Sequence, residues 1–171
     1  RLLELTIELA AHMLQLSGIE SDLETARVKS QDALTSGKAA AIFEQMISAL
    51  GGPSDLLEKS HKHLVPMPII RPIAANSSGY VLEMDARAIG LSMIHLKAGR
   101  TKSSDPIDHG VGLSDIVEIG QWIDKGEPLA IAHTRDKEQL NYLQKTIPGF
   151  ILLGAKHIEP PTLIHEILGS N

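Results

Sequence analysis

The chain has 171 residues, 43% of them hydrophobic, enough to bury one core of ordinary size or two small ones. Only 3% are aromatic and the net charge is −5 with both signs interspersed, which excludes a base-stacking platform and a cationic face for nucleic acid or anionic lipid. Cysteine is absent, which excludes disulfides and thiolate metal sites and accords with a reducing compartment, the cytoplasm by default.

Leu2, Leu5, Leu9, Met13 and Leu16 recur at helical spacing and Gly18 follows, which predicts a first helix with a broad, buried apolar face. Ser21-Asp-Leu-Glu24 has the spacing of a capping box and predicts a second helix, striped by Leu23, Ala26, Ala33 and Leu34 and stopped at Gly37. A third helix from Lys38 turns Ile42, Phe43, Met46, Ile47 and Leu50 inward until Gly51-Gly-Pro53, and Ser54 is expected to cap a short fourth. The apolar runs are broken by Glu, His or Gln well short of the ~20 residues that a bilayer requires, so no membrane span is expected. Arg1 opens directly on a helical pattern without a signal sequence, and we expect the start to lie inside a longer protein.

The composition changes at Val65-Pro-Met-Pro-Ile-Ile-Arg-Pro72, whose three prolines suit an extended edge segment and exclude a helix. We place the boundary there, with a helical portion at 1–65 and a β-rich domain at 66–171. A strand runs from Gly79 to Met84, and a helix follows with Ala86, Ile89, Gly90, Met93 and Ile94 on one side, closed by Gly99. The polar stretch 99–106 reads as the most mobile loop. Strands are expected at 111–113 and 129–133, with a turn region about Gly120 and Gly126 between them. Thr134 or Asp136 caps a last helix to Thr146, and final strands are expected at 150–153 and 163–168. The fold class is α+β, and no internal repeat is visible.

Side chains with chemical potential are scattered. His61 and His63 lack a third metal ligand. Asp105, Asp108 and His109 stand beside Pro106 and Gly110, so a turn in which Asp accepts from local amides is preferred over acid–base work. Ser114-Asp115 near His109 lacks the surroundings of a nucleophile elbow. His95 and His133 lie in apolar patterns and read as packed residues, and Met84 and Met93 as core filling. The segment Gly120-Gln-Trp-Ile-Asp-Lys-Gly126 looks like a lipoyl or biotinyl carrier turn, but Lys97, Lys102 and Lys125 lack the flanking methionines that a carrier lysine has.

An ordered set of motifs carries a more specific likeness. Leu3-Glu-Leu-Thr-Ile-Glu-Leu-Ala10, Gly37-Lys-Ala-Ala40, Gly79-Tyr-Val81, Glu83-Met-Asp85, Arg87-Ala-Ile-Gly90, Asp105-Pro-Ile-Asp108, Val111-Gly112 and Gly126-Glu-Pro-Leu129 together resemble the C-terminal part of the thymidine phosphorylase and pyrimidine-nucleoside phosphorylase family. The likeness covers nearly the whole chain. It implies a helical portion of a large lobe followed by an α/β-hammerhead, barrel-sandwich-like module. It also implies phosphorolysis of thymidine by inorganic phosphate to thymine and 2-deoxyribose 1-phosphate, with phosphate as a co-substrate and no cofactor. The family's phosphate loop, its Gly-Asn-Ala-Leu-Glu-Val-like segment and its base-binding Arg, Ser and Lys precede the portion matched here. The resemblance therefore carries over no catalytic, cofactor-binding or metal residue, and the chain alone is expected to be inactive. The loop 99–108 is expected to lie near the cleft and to order on closure. Homodimers of the family form through a smaller helical lobe absent from this sequence, so the chain alone is expected to be monomeric. An AMP-type nucleoside-monophosphate phosphorylase and a non-catalytic binding or interaction module are the alternatives.

Overall fold

A computed structural model describes residues 1–64 and 66–169; Val65, at the expected boundary, and the last two positions of the expected second domain lie outside them. The chain divides into two compact units, one holding Arg1–His63 and the segment from Thr162, the other Leu64–Pro161.

The first unit is helical, with α1 Leu2–Leu16, α2 Leu23–Thr35, α3 Lys38–Ala49 and the short α4 Ser60–His63. Helices α1 and α2 meet through small side chains: Ala11 and Ala26 are fully buried, and Ser30 disposes of its hydroxyl by donating to the Ala26 carbonyl at 2.9 Å. Glu8 of α1 accepts both Arg27 Nε and Nη2 of α2, at 2.6 and 2.5 Å. Asp22, rather than Ser21, caps α2 by accepting the Thr25 N–H at 2.8 Å. Gly37, at φ +79°, ends α2 and begins α3 in a left-handed conformation that lets the two helices follow without a linker. Residues 54–59 form turns, so Ser54 caps no helix and α4 begins at Ser60.

Two expectations about burial are corrected here. Leu2, Leu9, Met13 and Leu16 of α1 are exposed, and α3 buries no residue, leaving Ile42, Phe43, Met46 and Leu50 outward. Three short helices in contact cover only one side of each, so a wide apolar stripe outruns the surface available to it. Residues 163–168 form no strand. Their apolar residues, Leu163, Ile164, Ile167 and Leu168, come in pairs three to four apart and do not alternate as a half-buried strand requires.

The second unit holds two three-stranded antiparallel sheets. The first has the order β1-β5-β3 with β1 Ile69–Ala74, β5 Pro128–Thr134 and β3 Gly112–Ser114. The second has the order β4-β2-β6 with β4 Trp122–Ile123, β2 Gly79–Met84 and β6 Ile151–Gly154. The fold class is therefore α+β, and no closed barrel forms among the described residues. Pro72 is tolerated because β1 is an edge strand, where a missing donor costs no ladder bond on the open side. Helices α5 Ala86–His95 and α6 Lys137–Thr146 are each capped by an aspartate, Asp85 accepting from Ala88 N–H and Asp136 from Gln139 N–H. Ile73, Val81, Leu96, Leu129, Leu143 and Ile147 form the centre of one apolar core between these elements.

Gly120 is fixed twice over: its φ is +86°, and a Cβ there would stand 2.7 Å from the Ile158 carbonyl oxygen. Gly120→Ala is expected to destabilise this unit by about 1–3 kcal/mol through strain, and Leu143→Ala by about 2–5 kcal/mol through a core cavity. Urea unfolding followed by the fluorescence of Trp122, the sole tryptophan, reads the second unit specifically. Midpoints equal to that of the parent chain would refute both assignments.

Candidate functional site

The polar groups of the second unit converge where α5 ends. Lys97 adopts φ +68° just past the helix, its N–H donating to the Ile94 carbonyl while Ala98 N–H reaches that of Met93. This left-handed closure belongs to Lys97, two residues before the expected Gly99. The following segment is closed on itself. The Asp105 carboxylate accepts from Thr101 Oγ1 at 2.6 Å, Lys102 N–H at 2.9 Å and Thr101 N–H at 3.1 Å, while Arg100 Nε donates to the Asp105 carbonyl. These bonds hold the Asp105 carboxyl below the usual carboxylate range, the Thr101 hydroxyl contributing most. Asp108 N–H then returns to the Lys97 carbonyl at 2.8 Å.

Asp108 fastens the loop to the opposite strand end. Arg135 donates to it through Nε at 2.6 Å and Nη2 at 2.8 Å, a fork-shaped pairing, and Gly110 N–H adds a third donor at 3.2 Å. The guanidinium, more than any other neighbour, lowers the Asp108 pKa from its ordinary value. Lys97, Ile107, His109 and Gln139 line an open cleft of about 430 Å³ together with this pair. A second cleft of about 350 Å³ lies on the Lys97, Thr101 and Asp105 side of the loop.

Ser114 does not meet His109. Pairing of β3 with β5 brings it instead to His133, with Oγ 2.9 Å from the imidazole Nε2 and 2.9 Å from the Asp115 carboxylate. Because the hydroxyl donates to Asp115, the imidazole must supply the proton between Nε2 and Oγ. His133 therefore cannot act as the base that would activate this serine. His95 stacks on Tyr142 with ring centroids 4.2 Å apart, a packing role. His63 bonds to Asp55 at 2.7 Å, and among the described residues no group of three or more His, Asp or Glu is placed to hold a metal. Lys125 anchors its turn through its own N–H, which donates to Ser78 Oγ at 2.8 Å. No helix among the described residues is long and apolar enough to cross a membrane.

Comparison with known proteins defines the setting of this geometry. Residues 80–151, from β2 to the start of β6, match the pyrimidine nucleoside phosphorylase C-terminal domain. Over 167 residues, 98% of the chain, the sequence is 43% identical to a thymidine phosphorylase of Burkholderia orbicola (strain MC0-3). It is 42% identical to that of Burkholderia cenocepacia (strain HI2424) and 39% to that of Burkholderia lata over the same share. By these matches the chain is similar to the C-terminal part of pyrimidine nucleoside phosphorylases. It spans 38% of the length of these relatives.

Within the matched segment, the Asp105-Pro-Ile-Asp108 motif builds the loop anchor, and Gly126-Glu-Pro-Leu129 leads into β5, which delivers Arg135. Arg135 escaped the sequence reading because its partner lies 27 positions away. The one available signal was a cation between a strand and an aspartate-capped helix. With the Asp108 pKa depressed, the pair's contribution is fully present above the ordinary carboxylate range and is lost as pH falls through the folded value. The Asp108 carboxyl carbon is expected to titrate below the ordinary carboxylate range by NMR, and in Arg135→Gln its midpoint should rise toward that range. An unchanged midpoint in the variant would exclude this latch.

Proposed function

We propose that this chain is the C-terminal portion of a pyrimidine-nucleoside phosphorylase, a pentosyltransferase that converts thymidine and inorganic phosphate into thymine and 2-deoxyribose 1-phosphate. The observation that carries this reading is the 43% identity to a thymidine phosphorylase across 98% of the chain. Phosphorolysis develops positive charge on the sugar and negative charge on the leaving base, so positioned cations and donors supply most of the rate. No residue of this chain is assigned to that chemistry. Phosphate and base contacts belong to the family's preceding segments, and the chain by itself is inactive.

Its contribution is architectural. The two sheets and two helices of the second unit constitute the family's hammerhead, barrel-sandwich-like module, and the helices of the first unit belong to the large lobe. The outward apolar faces of α1 and α3 pack against the remainder of the phosphorylase, which in the relatives is more than half of the chain. The loop 99–108, closed by Asp105 and latched by Arg135, borders the cleft and stiffens further on closure.

A chimera separates these roles. The 167 aligned residues of this chain are placed in the Burkholderia orbicola enzyme in place of the matching 38% of its length. Phosphate-dependent thymine release is expected from the chimera, within about tenfold of the parent enzyme, and none from the isolated chain. Uridine and AMP are run in parallel. A folded chimera inactive on all three substrates would count against the phosphorylase reading, and release by the isolated chain would overturn the assignment of the chemistry elsewhere.

A further inference from the structure

The turn that carries the chain from the first sheet to the second supports an inference independent of the phosphorolysis reading. Strand β1 ends at Ala74 and β2 begins at Gly79, and both flanks of the connection are held. Ala75 N–H donates to the Glu127 carbonyl at 2.8 Å, and the Ala75 carbonyl accepts Gly126 N–H at 2.9 Å. On the far side Ser78 Oγ accepts Lys125 N–H at 2.8 Å, and Gly79 lies so close to β6 that a Cβ on it would stand 2.9 Å from the Gly154 backbone. Asn76 and Ser77 sit between these clamps and are exposed. Among the described residues, neither makes a hydrogen bond to the protein through its backbone or its side chain.

An asparagine is chemically labile when the nitrogen that follows it is uncommitted and little crowded, and Ser77 supplies such a nitrogen. Asn141 is the contrast: it lies inside α6, where the next N–H belongs to the helical ladder and the next side chain is the bulky Tyr142. We propose that Asn76 is a site of spontaneous deamidation and isoaspartate formation. The Ser77 nitrogen attacks Asn76 Cγ, the bond from Cγ to the amide nitrogen breaks, and ammonia leaves with the proton of the Ser77 nitrogen, closing a cyclic imide. Water then opens the ring at either carbonyl. Cleavage at Cγ gives aspartate, and cleavage at the backbone carbonyl carbon gives isoaspartate, whose main chain runs through Cβ and Cγ. With Ala75 and Gly79 held, the added length of the isoaspartate form falls on Ser78, and the bond it breaks is that from Lys125 N–H.

The whole chain is incubated in mildly alkaline buffer, folded and in urea, and its peptides are mapped by mass spectrometry, with isoaspartate read by labelling with an isoaspartyl carboxyl methyltransferase. Asn76 is expected to react in the fold within about threefold of its rate in urea, while folding slows Asn141 at least about tenfold because the helix must open first. Ser77→Val crowds the attacking nitrogen at an exposed position and should slow Asn76 at least about tenfold at unchanged thermal stability. After chromatographic separation of the two products, the Lys125 amide is expected to exchange faster with solvent deuterium in the isoaspartate form than in the aspartate form. The proposal is overturned if Asn76 persists in the fold while it reacts in urea, if Ser77→Val leaves the rate unaltered, or if Lys125 exchanges equally in both products.

Discussion

Strand β5 is the element on which the second unit depends. It lies in the middle of its sheet, with β1 on one edge and β3 on the other, and Ala130, Ala132 and Thr134 are buried in succession along one face. Helix α6 packs against β1 and β5, bringing Leu143 to complete burial. Small residues at alternate positions let the helix approach, while Leu129 fills the core. The register is strongly specified, because a one-residue slip would carry His133 into the face now held by Ala132 and Thr134. The same register places Arg135 and Asp136 immediately past the strand end, so the geometry of the cleft is inherited from the core rather than built by the loop.

The Arg135–Asp108 pair illustrates how position outweighs energy. The Arg135 side chain is 58% exposed against 17% for Asp108, and a pair so open to solvent adds little to the stability of the fold. Its consequence is geometric. A forked guanidinium bonded through two nitrogens fixes both the distance and the plane of the carboxylate, and Asp108 N–H is at the same time held by the Lys97 carbonyl. Two chain segments are thereby pinned at one residue. The loop between Lys97 and Asp108 then needs only the internal Asp105 bonds to be defined.

Local rules read most of this unit directly from the sequence. Asp136 announces α6, the prolines of the segment after Val65 mark an edge strand, and alternation gives β2 and β5 nearly to the residue. The misses share a physical origin. Ser21 and Asp22 are both capping residues, and only the backbone decides which takes the extended conformation that precedes a helix. Lys97 closes α5 where a composition rule looks for glycine, and no local pattern announces a strained lysine. The partners of Asp108 and Ser114 are set by strand pairing across 27 and 19 positions, a distance over which periodicity carries no information. The family likeness, by contrast, rested on many short motifs in order, and order survives where any one motif would mislead.

The helical unit shows where periodicity stops. Its stripes located α1, α2 and α3 correctly, since a 3.6-residue repeat is a property of the chain alone. Burial is a property of what lies opposite. On α2, Ala26 and Ser30 find α1 and are buried, whereas the apolar residues of α3 find no cover and remain open. An exposed stripe containing Ile42, Phe43, Met46 and Leu50 has the composition of a core face rather than of a solvated one. The repeat therefore reports a demand for cover even where the described residues supply no surface that meets it.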